Sequence, residues 1–178
     1  MNRNLALIGL VIVAVVVLLF ATKSKSPSSA GRLTAGDVTG AVAPEFELKL
    51  LDGNGKTLKL SDLKGKAVVL NFWATYCVPC KTEMPELEKL QTQYAGQGLQ
   101  IVGVTKDDDT EKAISEFSRK MGINYPVLLG TEKVEELYGG IDGLPTTFFI
   151  DRSGKVVTRK LGQMNREQIV DGIKKSLG

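Results

Sequence analysis

An α/β sheet with helices on both faces is the fold the sequence predicts, and three observations carry it. Apolar runs of strand length, Ala67 to Phe72 and Leu99 to Thr105, alternate with segments of helical pattern. The chain closes on a hairpin turn at Asp151-Arg152-Ser153-Gly154-Lys155 and a helix from Asn165 to Leu177, where Ile169, Ile173 and Leu177 recur at i, i+4 and i+8. No internal repeat is visible, and 178 residues suffice for one domain plus appendages.

The appendages come first. Leu5 to Ala21 is an unbroken run of 17 apolar or small residues, near the lower limit for a membrane-spanning helix. A secretory signal peptide cleaved near Ser28-Ser29-Ala30 is the competing reading. The run is longer than a usual signal-peptide core and Ala30 lies far beyond its end, so residues 1–21 are expected to be an uncleaved signal anchor. Arg3 precedes the run, while Lys23, Lys25 and Arg32 follow it, a bias that mildly opposes an outward-facing domain. The very short first flank is nevertheless how signal anchors begin, and the domain is placed outside the membrane. Residues 22–41, rich in Ser, Gly, Ala and Lys, read as a flexible tether. Residues 1–37 hold four basic residues and one acidic, and the remaining 19 of each sign cancel. The domain over 42–178 is therefore neutral, and no nucleic-acid partner is expected.

Within the domain, Glu45 to Leu50 alternates apolar and charged residues, as a half-buried strand should. Asp52-Gly53-Asn54-Gly55 is a turn signal, and Thr57 to Leu60 returns as the second strand of a hairpin. Asp107-Asp108-Asp109-Thr110 is expected to form an acidic N-cap for a helix over Glu111 to Met121, in preference to a metal loop. Tyr125 to Leu129 is a short strand and Glu132 to Tyr138 a short helix. Leu144-Pro145 then leads into the β-branched and aromatic strand Thr146 to Asp151, and this proline is a candidate for a cis bond.

The only two cysteines, Cys77 and Cys80, follow the strand at 67–72 and precede a helix through Thr82 to Leu90. A Cys-x-x-Cys pair at a strand-to-helix junction points to thiol–disulfide chemistry. Cys77, at or just before the first helical turn, meets unpaired N–H groups and the positive end of the helix dipole, which favour its thiolate. It is the expected nucleophile, and Cys80, one turn further in, the resolving thiol. Pro79 is tolerated in a first turn, and Lys81 adds a positive charge. A structural zinc site would need four ligands, and the chain has no histidine and no third cysteine. No metal and no cofactor are expected. Glu83, three residues beyond Cys80, lies on a neighbouring position of the same helix face, where a partly buried carboxyl would have a raised pKa and could take the proton of Cys80.

Phe72-Trp73-Ala74-Thr75-Tyr76-Cys77-Val78-Pro79-Cys80-Lys81, with Leu144-Pro145-Thr146-Thr147-Phe148 later, resembles the thioredoxin superfamily. More narrowly it resembles membrane-anchored thiol–disulfide oxidoreductases of the TlpA/ResA/CcmG type, over roughly residues 42–177. The resemblance implies a thioredoxin-like fold with a mixed central sheet, an N-terminal β-hairpin and a central strand–helix insertion, here at 126–138. It implies a buried acid at Glu83, and Asn71 stands where simple thioredoxins keep an aspartate, so proton transfer falls to Glu83. The family commonly has tryptophan where this chain has Tyr76. Tyr76, Leu144 and Pro145 are the expected client-binding residues. Trp73 is a further candidate that reads equally well as a packing residue.

The function the resemblance implies is reduction of disulfides in partner proteins, of the cytochrome c maturation or metal-centre assembly type. A membrane thiol donor would supply electrons at a bacterial cytoplasmic membrane. The alternatives are a disulfide-forming oxidase, a thiol peroxidase and a Cu(I) metallochaperone. Thr75 is two residues before Cys77, one short of the peroxidase spacing, and copper-binding relatives typically add a histidine, which this chain lacks.

Overall fold

The computed structural model describes residues 31–34 and 36–178. The expected anchor and the first part of the tether lie outside the described residues. Among the described residues, no helix is long and apolar enough to cross a membrane.

A two-stranded hairpin comes first, with β1 (Glu47–Lys49) antiparallel to β2 (Thr57–Lys59). Its turn uses Asn54 and Gly55 at φ 49° and 85°, the left-handed backbone that these two residue types tolerate. The main sheet contains β3 (Ala67–Trp73), β4 (Leu99–Thr105), β5 (Val127–Leu129), β6 (Thr146–Ile150) and β7 (Val156–Leu161) in the order β5-β4-β3-β6-β7. β3, β4 and β5 are parallel, while β6 and β7 run antiparallel to their neighbours. The sheet is mixed, as expected. Every residue of β3 is buried, which explains why all but Asn71 are apolar: a strand covered on both faces has no polar side to alternate.

The helices are α1 (Val78–Tyr94), α2 (Glu111–Met121), α3 (Glu132–Leu137) and α4 (Arg166–Leu177). On one face, Val69, Ile101 and Phe149 pack with Leu87 and Leu90 of α1 and with Ile169 and Ile173 of α4. Ile114 of α2 joins Trp73 and Met84 on the same side. On the other face, Leu70, Phe72, Val104 and Phe148 meet Phe46 and Leu48 from the hairpin region and Val134 and Tyr138 from α3 and its end. Helices do cover both faces, but three of the four lie on one, and the hairpin does much of the covering on the other.

The final residues of the expected tether are not a tether. Leu33 and Val38 are buried in the hairpin-side core. The Leu33 N–H donates to the Leu137 carbonyl at 2.8 Å, and the Gly40 N–H to that of Val156 at 2.7 Å. The Ser/Gly/Ala composition concealed two apolar residues that have a core to join.

Candidate active site

β3 ends at Trp73, the chain turns through Ala74 to Tyr76, and α1 begins at Val78 with Cys77 as its N-cap. Proline in the first turn costs no hydrogen bond, and the Cys80 N–H donates to the Cys77 Sγ at 3.2 Å. The two cysteines form a disulfide with Cα atoms 5.3 Å apart. Cys77 is 6% exposed and Cys80 2%, so the outer sulfur is the one a partner can reach. α1 extends beyond the expected Thr82–Leu90 segment at both ends and runs through Pro85.

Leu144-Pro145 crosses close by, and the bond between them is cis. With Tyr76, Cys77, Pro79, Lys106, Ile141, Asp142 and Gly143, Leu144 lines a cleft of about 350 Å³. Tyr76 stands exposed at its rim, and Val78, the next residue after Cys77, is exposed as well. Tyr76 and Leu144 therefore share the cleft with Cys77, and Pro145 follows Leu144 through the cis bond. Trp73 lies in one buried cluster with both cysteines, but it is fully covered and its ring stacks on Phe117 at 5.6 Å, so it packs beneath the site and offers no surface to a client.

One turn beyond Cys80 on α1 lies Glu83, 2% exposed. Its Oε2 accepts the Met164 N–H at 2.8 Å, and its Oε1 accepts the Asn71 Nδ2 at 3.3 Å. The same Asn71 amide donates to Thr147 Oγ1 at 2.9 Å across the β3–β6 ladder. Burial pushes the Glu83 carboxyl up to about 7, against the opposing pull of the Met164 N–H. A carboxyl poised near neutrality on the helix that carries both cysteines can accept or return a proton as they change redox state.

The segment after β4 does cap the next helix, but through its last residue and not through its acids. Thr110 caps α2, its hydroxyl accepting from the Ala113 N–H at 3.3 Å. Asp107 turns back instead to the cysteine-bearing turn. Its two oxygens accept the Thr75 N–H at 2.9 and 3.0 Å, and Oδ1 also accepts the Thr75 hydroxyl at 2.7 Å. The Thr105 hydroxyl adds a further donor. Three donors from the ends of β3 and β4 outcompete a helix N-terminus several residues away. Sequence reasoning also missed Lys106 and the Met164 N–H. Only the position of Lys106-Asp107 at the carboxyl end of a central strand, where α/β sites gather, could have signalled them.

A mixed five-stranded sheet, a disulfide at the start of the helix after its central strand and a proline loop across from it define a thioredoxin-like thiol–disulfide oxidoreductase. The chain belongs to the AhpC/TSA family, whose model matches residues 39–159. It is 43% identical over 133 residues to the thiol-disulfide oxidoreductase ResA of Bacillus subtilis, covering 74% of this chain and 72% of that protein. It is 39% identical over 138 residues to ResA of Bacillus thuringiensis, covering 76% and 77% of the two. Among solved structures it resembles a thiol:disulfide interchange protein of the thioredoxin family from Chlorobium tepidum. The TM-score is 0.70 at 32% identity, over 80% of this chain and all of that one.

Proposed function

We propose that the protein reduces disulfides in partner proteins outside the bacterial cytoplasmic membrane, held there by residues 1–21. The partners are of the kind that supply reduced cysteines for haem attachment or metal-centre assembly. The observation that carries the exchange chemistry is Glu83: a buried acid near neutrality is suited to taking a proton from a buried thiol that must become a nucleophile, and to returning it in the reverse step, so the direction itself rests on the resemblance and on the test below.

The Cys77 thiolate, favoured at the start of α1, attacks one sulfur of the partner disulfide. The partner S–S bond breaks, one partner sulfur leaves as thiolate, and a mixed disulfide forms at Cys77. Cys80 gives its proton to Glu83 and attacks the Cys77 sulfur. The second partner sulfur leaves, and the Cys77–Cys80 disulfide seen here is the product. Two electrons have passed to the partner, and a membrane dithiol donor must return two. The cleft between Tyr76 and Leu144 receives an extended client segment, bound through its main chain.

A thiol peroxidase would need a hydroxyl turned towards the reacting sulfur, and the Thr75 hydroxyl is held instead by Asp107. The in-cell redox state of Cys77 and Cys80 tests the direction, by acid quenching and mass-tagged alkylation. A reduced dithiol in an oxidising compartment supports the reductase. An oxidised pair, with clients trapped by Cys80→Ser that carry newly made disulfides, would replace it with the disulfide-forming oxidase.

A further inference from the structure

The cleft beside Cys77 has two walls, and apart from Pro79 in the first turn of α1 both are irregular backbone. One is the turn Ala74 to Cys77, and the other is the segment Ile141 to Leu144 before the proline strand. Two consecutive residues at the carboxyl tip of β4 reach one wall each. Asp107 accepts both hydrogen-bonding groups of Thr75. Lys106 points the other way, its Nζ donating to the Ile141 carbonyl at 3.3 Å and pairing with Glu135 of α3. The Lys106 N–H is itself bonded to the Trp73 carbonyl at 2.8 Å, so the tip is fixed to the end of β3.

We propose that Lys106 and Asp107 are positioning residues that brace the two walls of the client cleft, Asp107 holding the nucleophile turn and the Lys106–Glu135 pair holding the facing loop. The proposal requires thiol–disulfide exchange at Cys77 but not its direction. Charge-assisted hydrogen bonds are strong and directional, and here they reinforce neutral ones, from the Cys77 N–H to the Ala74 carbonyl at 3.1 Å in one wall and from the Thr146 hydroxyl to the Gly143 carbonyl at 2.7 Å in the other. Exchange requires three sulfurs in line, so a displacement of about 1 Å in either wall would cost a large factor in rate. The two arms also act on different quantities. Letting go of Thr75 loosens Cys77 from the N-terminus of α1. Letting go of Ile141 alters only the surface on which the client lies.

Several other charged groups surround Cys77. Lys106 and Asp142 share its cleft, Lys81 and Glu83 follow on α1, and Asp109 reaches the Thr75 hydroxyl at 3.3 Å beside Asp107. An Asp107→Asn variant removes charge while keeping an acceptor for Thr75, and so separates geometry from charge.

The experiment uses the reduced full-length chain. The rate of Cys77 alkylation by iodoacetamide is followed against pH for wild type, Asp107→Ala and Asp107→Asn. The alanine variant should move the midpoint up by about half a pH unit or more and slow alkylation near neutrality about threefold, as Cys77 leaves the helix terminus. Asparagine should restore most of both. An alanine profile that superimposes on wild type overturns the Asp107 arm, and so does an asparagine variant no better than alanine. Should the alanine variant not fold, Thr75→Val removes the hydroxyl contact alone. A smaller shift of the same sign is then expected, and no shift overturns the arm. For the facing wall, Glu135→Gln leaves the Lys106 charge in place. Oxidation of the reduced chain by a synthetic disulfide-closed Cys-x-x-Cys peptide should show a half-saturating concentration raised about threefold with an unchanged limiting rate. A lowered limiting rate with unchanged half-saturation overturns that arm. A wild-type chain that the peptide cannot oxidise contradicts the exchange reading itself, while the alkylation comparison still decides Asp107.

Discussion

Glu83→Gln makes the environment of the buried acid visible in the stability of the whole molecule. The folded carboxyl titrates at about 7 against an ordinary 4.5, because burial disfavours its charge. An acid raised in this way binds its proton more tightly when folded than when unfolded. Its effect on stability is therefore nil well below the unfolded value and becomes unfavourable as pH rises through the window between 4.5 and about 7. Each pH unit of that window corresponds to about 1.4 kcal/mol, so the loss across it is roughly 3 kcal/mol. That is a sizeable part of the 5–15 kcal/mol, roughly, of a typical domain. Glutamine keeps the volume, still accepts the Met164 N–H, and can meet Asn71 once the asparagine amide turns over. The assay is urea unfolding of the disulfide form at several pH values from about 4 to 8, for wild type and variant. The wild-type curve should fall relative to the variant by roughly 3 kcal/mol as pH rises, with the change centred between the two pKa values. Parallel curves would refute the reasoning, since they would mean that the carboxyl is charged at little cost in the folded chain.

The same variant should slow resolution of a Cys77 mixed disulfide about a hundredfold if Glu83 takes the Cys80 proton, as read by quenched release of a labelled client thiol. Gly172→Ala places a Cβ 2.4 Å from the buried Phe149 ring, where neither α4 nor β6 can yield, and should cost about 1 to 3 kcal/mol in thermal or urea unfolding. Tyr138→Phe removes the hydroxyl that donates to the Pro44 carbonyl at 2.8 Å within the core. Leaving that acceptor unpaired should cost about 1 to 2 kcal/mol by urea unfolding, with the redox site unaffected. Trp73, the chain's only tryptophan, packs in one cluster with Cys77 and Cys80, so its emission should rise when the disulfide is reduced. An unchanged spectrum would argue against that packing.

The strands and helices were legible because their signals are local. β3 is apolar at every position but Asn71, β1 alternates, and α4 carries isoleucines a turn apart. Cys77, Cys80 and the proline loop were legible for the same reason, each being a short motif beside a clear strand. Glu83 could be placed on the helix, but its burial depends on Asn71 and Met164, 12 and 81 residues away, and no local pattern contains that. Trp73 read equally well as a client contact or as packing, and because both faces of β3 are covered it packs, stacked on Phe117. Asp107 misled because three acidic residues before a helix look like a cap, and its real partner lies 32 residues back. Leu33 and Val38 were hidden by the polar residues around them.

The segment that enters the domain from the N-terminus also touches both rims of the main sheet. Residues 40–43 bond along the start of β7 through Val156 and Gly154, and Leu50 and Leu51 lie against β5 at Leu128 and Val127. The two outer strands are thus each partly sealed by the same short stretch of chain. An open strand edge is a template for another molecule, so this stretch guards the fold against self-association. A recombinant domain begun at residue 45 to avoid the apolar leader would keep the disulfide, the cleft and Glu83, yet bare the β7 edge. Its tendency to oligomerise would then reflect where it was cut, and a start before Leu33 is the boundary that keeps the edge closed.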